Sequence, residues 1–544
     1  MPDSRDMLTK YRFGVAASIF GALLFQYAPI ALAAPAPVVA IESGKLKGAS
    51  EAGIDSYKGI PFAEPPVGEL RWRPPMPITS WQGIRDATAM QHDCMQLPAP
   101  SEAAPGGTTT PSEDCLYLNI WTPTGSHGKH LPVMVWIYGG GFLNGGASPA
   151  VYDGTSFAKR GVVLVTFNYR LGRFGFFAHP ALTAEQSSSP LGNYGYMDQI
   201  AALKWVQRNI TAFGGDPARV TIFGESAGGS SVLALMTSPM AHGLFAQAIV
   251  ESGGGRDGKF PRYLNDRDSK PGSPPSGEVV GIAFAKSKNI TGVDAPALKA
   301  LRALPADAIV DDLNIITRRT SHSTAATYPG PMIDGQLLIE GSQSVYEAGR
   351  QAKIPLIIGA NDNDLAYPQG NTVAELLSVF GAQSEKAKQL FDPDNKNNVH
   401  DIGIRVASDR AEVEPARHVA RVLTKQGQPV YLYRFSYVAT SMQNQWPGAT
   451  HASEVPYVFD TVKARYGAAL TPADEAMAKA IIDRWVAFAK TGKPDVAGGP
   501  VWKPFDPQHE LIFNFTERGL IAEPDSLKQR LDLTEQTYSF SSTR

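Results

Sequence analysis
The chain has 544 residues, 43% of them hydrophobic and 19% charged, and its 50 Lys+Arg and 52 Asp+Glu leave a formal charge of −2. So much apolar material buries a large core and excludes a disordered chain, and so even a charge balance excludes a basic nucleic-acid-binding surface. A length prior of roughly 150 residues per domain suggests three or four domains, but large α/β enzymes also run this long as one unit.

In chain order, Arg5, Lys10 and Arg12 precede an apolar stretch from Phe13 to Leu32. Ala31-Leu32-Ala33 then sets small residues where a signal peptidase reads, so residues 1–33 are expected to be a signal peptide. Residues 34–544 follow as one domain, periplasmic or secreted and without stable membrane insertion. The competing reading is an uncleaved anchor, which the stretch is long enough to be; Gln26 and Pro29 interrupt it. Cys94 and Cys115 are the two cysteines. In an exported chain such a pair reads as a disulfide, and closing a loop of about 20 residues contributes ~3 kcal/mol in the chain-entropy model. A zinc site would need more Cys or His at close spacing, so no metal is expected.

Leu97–Thr110 and Ser269–Gly277 are low-complexity stretches expected as surface loops. Between them, Val133–Tyr138 and Val162–Tyr169 are continuous apolar runs that suit strands buried on both faces of a mostly parallel sheet. Leu203, Val206, Ile210 and Phe213 recur at helical spacing up to Gly214-Gly215. Further strands are predicted at Val220–Gly224, Gln247–Glu251, Ile354–Gly359 and Pro429–Phe435. A late helix carries Met477, Ile481, Trp485 and Phe488 and stops near Gly492 and Pro494. Alternating strands and helices predict an α/β fold, a central mostly parallel sheet with helices on both faces.

Gly224-Glu225-Ser226-Ala227-Gly228 is a G-x-S-x-G pentapeptide between the strand Val220–Gly224 and an Ala/Leu-rich helical stretch from Ala227 to Met236. That context is a nucleophile elbow, in which a very tight turn presents Ser226 at a helix N-terminus. Alone the pentapeptide is a weak signal, and the bland alternative is a structural serine turn. Tyr138-Gly139-Gly140-Gly141-Phe142 follows a strand, and its glycines expose backbone N–H groups. Gly140 and Gly141, with Ala227 as third donor, are candidates to hold an oxyanion. A phosphate cradle would need a Gly-Lys-Ser/Thr that is absent here.

In an α/β-hydrolase the order is Ser, acid, His. His242, His322, His400, His418, His451 and His509 all follow Ser226. His451 has the best setting, a loop after the strand Pro429–Phe435. His418 sits among helical residues and His509 in a polar turn. The acid should follow the strand Ile354–Gly359, where Asp362 and Asp364 both qualify as orienting carboxylates, or as members of an Asx-rich turn.

From about Val38 onward the chain resembles the type-B carboxylesterase family, which includes bacterial carboxylesterases and cholinesterases. The resemblance rests on GIPFAEPPVGELRWRP (59–74), EDCLYLNIW (113–121), WIYGGGF (136–142) and FGESAGG (223–229). It implies an α/β-hydrolase fold and hydrolysis of a small-molecule carboxylic ester without cofactor. It matches His451-x-x-Glu454-x-Pro456-Tyr457-x-Phe459 to the family's histidine block, and puts the acid five residues after Gly359, at Asp364. Most members have Glu-Gly where this chain has Asp364-Leu365, so the acid is one methylene shorter and its loop must sit closer to His451. Asp362 is then a solvent-facing turn residue. Ser252 stands where the family has a second buried serine, and Glu225 beside Ser226 is a further supporting residue. Cys94–Cys115 matches the family's first disulfide, and Arg71 with Glu113 a buried ion pair.

Residues 95–114 contain no Trp, Tyr or Phe. The resemblance to cholinesterases would imply an aromatic residue in this disulfide-closed loop to bind a quaternary ammonium by cation–π contact; the chain departs from that pattern, so a choline ester is disfavoured. Specialised alternatives are a lipid, polyester or toxin esterase, and a remote one is a non-catalytic binding protein on the same fold. Oligomeric state is not legible.

Overall fold
Long β-branched and aromatic runs form the centre of the molecule. The computed structural model describes residues 36–98, 108–186, 189–257, 262–270, 272–322, 326–364 and 370–539. The expected signal segment 1–33 and Leu365 lie outside the described residues.

Eleven strands of the described residues form one sheet. They are β1 (Ala49–Glu51), β2 (Ile54–Pro61), β3 (Tyr117–Pro123), β4 (Leu131–Ile137), β5 (Val163–Phe167), β6 (Gly215–Glu225), β7 (Gln247–Glu251), β8 (Leu356–Asn361), β9 (Val430–Phe435), β10 (Leu511–Thr516) and β11 (Gly519–Pro524). Their order is β11-β10-β9-β8-β7-β6-β4-β5-β3-β2-β1. Pairing is parallel from β10 through to β5 and antiparallel at both ends. Every residue of β5, β8 and β9 is buried, as continuous apolar runs in a covered parallel sheet require. A separate three-stranded sheet joins Val38–Ile41, Gly44–Lys47 and Ile84–Asp86.

Helices cover the sheet. The spacing of Leu203 and Val206 belongs to α1 (Tyr194–Asn209), which continues as a 3-10 turn to Phe213 and stops where Gly214 takes φ +82°. The helix α2 (Ala227–Thr237) packs on β6 and β7, and α3 (Glu414–Lys425) on β8 and β9. The late helix is α4 (Pro472–Thr491), opened by a Thr471/Asp474 capping box and closed by Gly492 at φ +75°. The fold is an α/β-hydrolase fold, mostly parallel at its centre. No described helix is long and apolar enough to cross a membrane.

Register decides what meets at the strand ends. Glu251 of β7 lies opposite Glu225 of β6 on one side and Gly359 of β8 on the other. The next residues, Ser226 and Ser252, therefore leave the sheet side by side.

Candidate active site
The turn from β6 to α2 puts Ser226 at φ 57°, ψ −122°. A non-glycine residue held there costs about 1–3 kcal/mol of local strain, which persists because its surroundings over-determine it. Glycine on both sides makes the turn possible. A Cβ on Gly228 would lie 1.9 Å from the carbonyl oxygen of Ile137, and one on Gly224 would lie 2.6 Å from that same oxygen. Ser226 N–H donates to Glu251 O at 2.9 Å, tying the turn to β7. The Ser226 side chain is half-buried, reachable yet shielded.

Four strand ends supply the rest. His451 lies in the loop after β9, with Nε2 2.9 Å from Ser226 Oγ. Its Nδ1 hydrogen-bonds Asp364 Oδ1. Asp364 follows β8 and is buried; its other oxygen accepts from Ser252 Oγ at 2.6 Å and from the Asn361 backbone N–H at 2.8 Å. Ser252 follows β7, at φ 46°. The expected residues Ser226, His451, Asp364 and Ser252 thus form one connected chain.

The glycine loop follows β4. Gly140 and Gly141 take φ 102° and 66°, and a Cβ on Gly139 would meet Ser226 Cβ at 2.9 Å, so backbone reaches the serine where a side chain could not. Tyr169 stacks on Tyr138 with ring centroids 4.5 Å apart and donates its hydroxyl to Tyr138 O at 2.8 Å. The disulfide Cys94–Cys115 is formed and braces this loop: Gln96 Nε2 donates to Cys94 O at 3.0 Å and Gly145 O at 2.6 Å. Arg71 holds Glu113 through two hydrogen bonds, at 2.8 and 2.6 Å.

Acidic groups crowd beneath the histidine. Glu225 Oε1 is 3.3 Å from His451 Nε2. Burial drives the Glu225 carboxyl well above its ordinary range, and the nearby Glu454, Asp364 and Glu251 add to this. Burial likewise raises Glu251 and Glu454 to about 8. Burial favours the neutral forms of these three groups, and Asp364 is the carboxyl group hydrogen-bonded to His451 Nδ1. Burial lowers the His451 pKa, but the charge and hydrogen bond of Asp364 outweigh it and the net shift is upward from 6.5.

One expectation is corrected. Asp362 is not a solvent-facing turn residue: it is half-buried, and its Oδ1 accepts from Ala449 N–H at 2.8 Å. It therefore fastens the loop two residues before His451, a long-range contact that a local turn pattern does not reveal. Asn361 was also missed. It donates from Nδ2 to Thr450 O at 2.7 Å and to Glu454 Oε2 at 2.5 Å, knitting the acid loop to the histidine loop. An Asn ending a strand carries no sequence signal of that kind. Of the other histidines, His418 is in α3 and His509 pairs with Asp506. Glu414, His418 and Glu535 bring ligand atoms within 4.8 Å of one another, but Glu414 is held by Arg256 and Glu535 by Arg417 and Arg421. The arginines already supply the charge that a cation would.

Residues 35–538 match the model of the carboxylesterase family. The chain belongs to the carboxylesterase family. It is 35% identical over 490 residues to the fumonisin B1 esterase of Sphingopyxis macrogoltabida, covering 87% of this chain and 85% of that protein. It is 34% identical over 475 residues to the para-nitrobenzyl esterase of Bacillus subtilis (strain 168), covering 84% and 90%. A solved PNB esterase structure superposes with a TM-score of 0.74 at 31% identity, covering 91% of this chain and 99% of that one. This carboxylesterase-family chain is accordingly a carboxylic-ester hydrolase acting on small-molecule esters.

Proposed function
We propose that ester hydrolysis proceeds by acyl transfer to Ser226. His451 takes the Ser226 proton as Oγ attacks the carbonyl, Asp364 orients the imidazole and stabilises its cation, and the N–H groups of Gly140, Gly141 and Ala227 hold the oxyanion. His451 then protonates the leaving alcohol, and next activates the water that releases the acid. Glu225 and Ser252 support the triad from behind. The observation that carries this reading is the unbroken chain from Ser226 Oγ through His451 to Asp364. No step calls on a cofactor or metal.

The decisive experiment is turnover of p-nitrophenyl esters of rising acyl length by wild type and Ser226→Ala. The variant is expected to lose on the order of 10⁵-fold in kcat while remaining folded. Retained labelling of Ser226→Ala by an organophosphate would assign the nucleophile elsewhere. A non-catalytic binding protein would instead bind the esters without turning them over. We also infer that residues 34–544 make one exported domain behind a leader of residues 1–33. Support comes from the small residues at Ala31 and Ala33 and from the disulfide; the mass of the mature protein tests it.

A further inference from the structure
A distant part of the chain rests on the glycine loop. A Cβ on Gly141 would lie 3.4 Å from Ile315 Cδ1 and 3.5 Å from Ile315 Cγ1. Apart from the chain neighbours of Gly141, no other atom of the described residues comes within 4 Å of that point. The Ile315 side chain alone therefore covers that face of Gly141. Ile315 is half-buried, so the rest of its surface stays open.

The segment that carries Ile315 is firmly held. Leu313 is buried and rests on Gly172, where a Cβ would lie 3.5 Å from Leu313 Cδ2. The buried Asn314 side chain accepts from the backbone N–H groups of Ile316 and Thr317, at 2.8 and 2.9 Å, closing a local turn. Ile315 N–H donates to Asn144 Oδ1 at 3.0 Å. Asn144 is itself buried; its N–H donates to Gly140 O at 3.0 Å, and its Nδ2 donates to Leu97 O at 2.8 Å. One asparagine thus joins the glycine loop, the disulfide-closed loop and the Ile315 turn. Ile315 is fixed over Gly141 by these bonds and does not swing clear as the tip of a free loop would.

We propose that Ile315 is a specificity-determining residue, a wall that sets the width allowed to the ester group lying beside the oxyanion and favours esters that are slim at that flank. The inference rests on the reading of Gly141 as an oxyanion donor and deepens it to a substrate class. An oxygen held by the Gly141 N–H sits about 2.9 Å from that nitrogen, which brings the groups flanking it close to the side chain that covers Gly141. A wall anchored through its own backbone and a buried amide yields little to a bulky group, and a packed apolar surface discriminates by shape only when it cannot give way.

The test compares slim and branched esters in two pairs. The first is p-nitrophenyl acetate with p-nitrophenyl pivalate, branched on the acyl side. The second is methyl butyrate with tert-butyl butyrate, branched on the alcohol side and followed by pH-stat titration. Branched esters are intrinsically slower, so the quantity read is the branched-to-slim ratio of kcat/KM in each variant, divided by the same ratio in wild type. Ile315→Ala should raise it about tenfold for one pair, and Ile315→Phe should lower it by a similar factor, with Ile315→Val between Ala and wild type. The pair that responds says which side of the ester lies against Ile315. Opposite shifts from Ala and Phe do not arise from a general loss of folding. Ratios that stay at the wild-type value in both pairs, or that move in the same direction in Ala and Phe, would overturn the proposal. Gly141→Ala tests the reading beneath it: kcat should fall for slim and branched esters alike, and an unchanged kcat would strike at the oxyanion assignment itself.

Discussion

Asp362 and Asp364 sit on one turn and hold different partners: Asp364 the imidazole of His451 and the hydroxyl of Ser252, Asp362 the backbone N–H of Ala449. Under the proposed mechanism, Asp364→Asn leaves a group that cannot neutralise the imidazolium and favours the wrong tautomer, so kcat is expected to fall on the order of 10³–10⁴-fold. Asp362→Asn keeps an oxygen that can accept from Ala449, so kcat should stay within about threefold. Asp362→Ala removes that acceptor and should lower stability by about 1–2 kcal/mol. Steady-state kinetics and thermal melts of the three variants distinguish the two roles; a large loss of kcat confined to Asp362→Asn would exchange them. His451 brings a pH dependence. In its proposed role as base it must be neutral to act, and the net effect on its pKa is upward from 6.5. Activity should therefore rise with pH along a limb centred above 6.5, and a kcat/KM profile with its limb below that value would contradict the assignment.

At the scale of the element, the β6–Ser226–α2 turn depends on what its glycines lack. The backbone of Gly228 passes so close to Ile137 at the end of β4 that an added Cβ would lie 1.9 Å from the Ile137 carbonyl oxygen. Neither side can yield cheaply, because β4 is hydrogen-bonded on both edges, to β5 and β6. Gly228→Ala should therefore move α2 away from β4, shift the Ala227 N–H and the Ser226 hydroxyl together, and lower both stability and kcat. A loss of about 3 kcal/mol or more in chemical denaturation is expected, since overpacking here meets backbone rather than a side-chain tip. A variant as stable and active as wild type would mean that the turn relaxes elsewhere.

Across the whole molecule, the interior under the site holds more carboxyl groups than it can ionise. Glu251 accepts from Trp485 Nε1–H of α4 at 2.7 Å, and burial raises its pKa to about 8, against 4.5 for an exposed glutamate. Between those two values the folded state binds more protons than the unfolded one, so stability falls as pH rises from 4.5 through 8. Gln in its place keeps an acceptor for Trp485 and does not titrate. The melting temperature of Glu251→Gln should therefore gain on wild type by a few degrees as pH is raised from about 5 to about 9. A difference that stays constant with pH would mean that Glu251 is charged in the fold.

What the sequence determined by itself was local or periodic. Continuous apolar runs located β4 and β5, because a strand buried on both faces needs apolar residues throughout, and shorter apolar stretches located β7 to β9 and the C-terminal half of β6. Gly214 and Gly492 ended their helices, because the left-handed conformation at each end favours glycine. The G-x-S-x-G turn named Ser226, because its spacing encodes a steric requirement met within five residues. The family pattern, not the physics of one loop, separated His451 from the other histidines and Asp364 from Asp362. The tertiary structure alone decided the rest. That Asp362 fastens the histidine loop and that Asn361 links it to the acid loop both depend on segments far apart in sequence. Strand register and loop packing bring these groups within hydrogen-bonding or electrostatic range, and no spacing along the chain encodes that proximity.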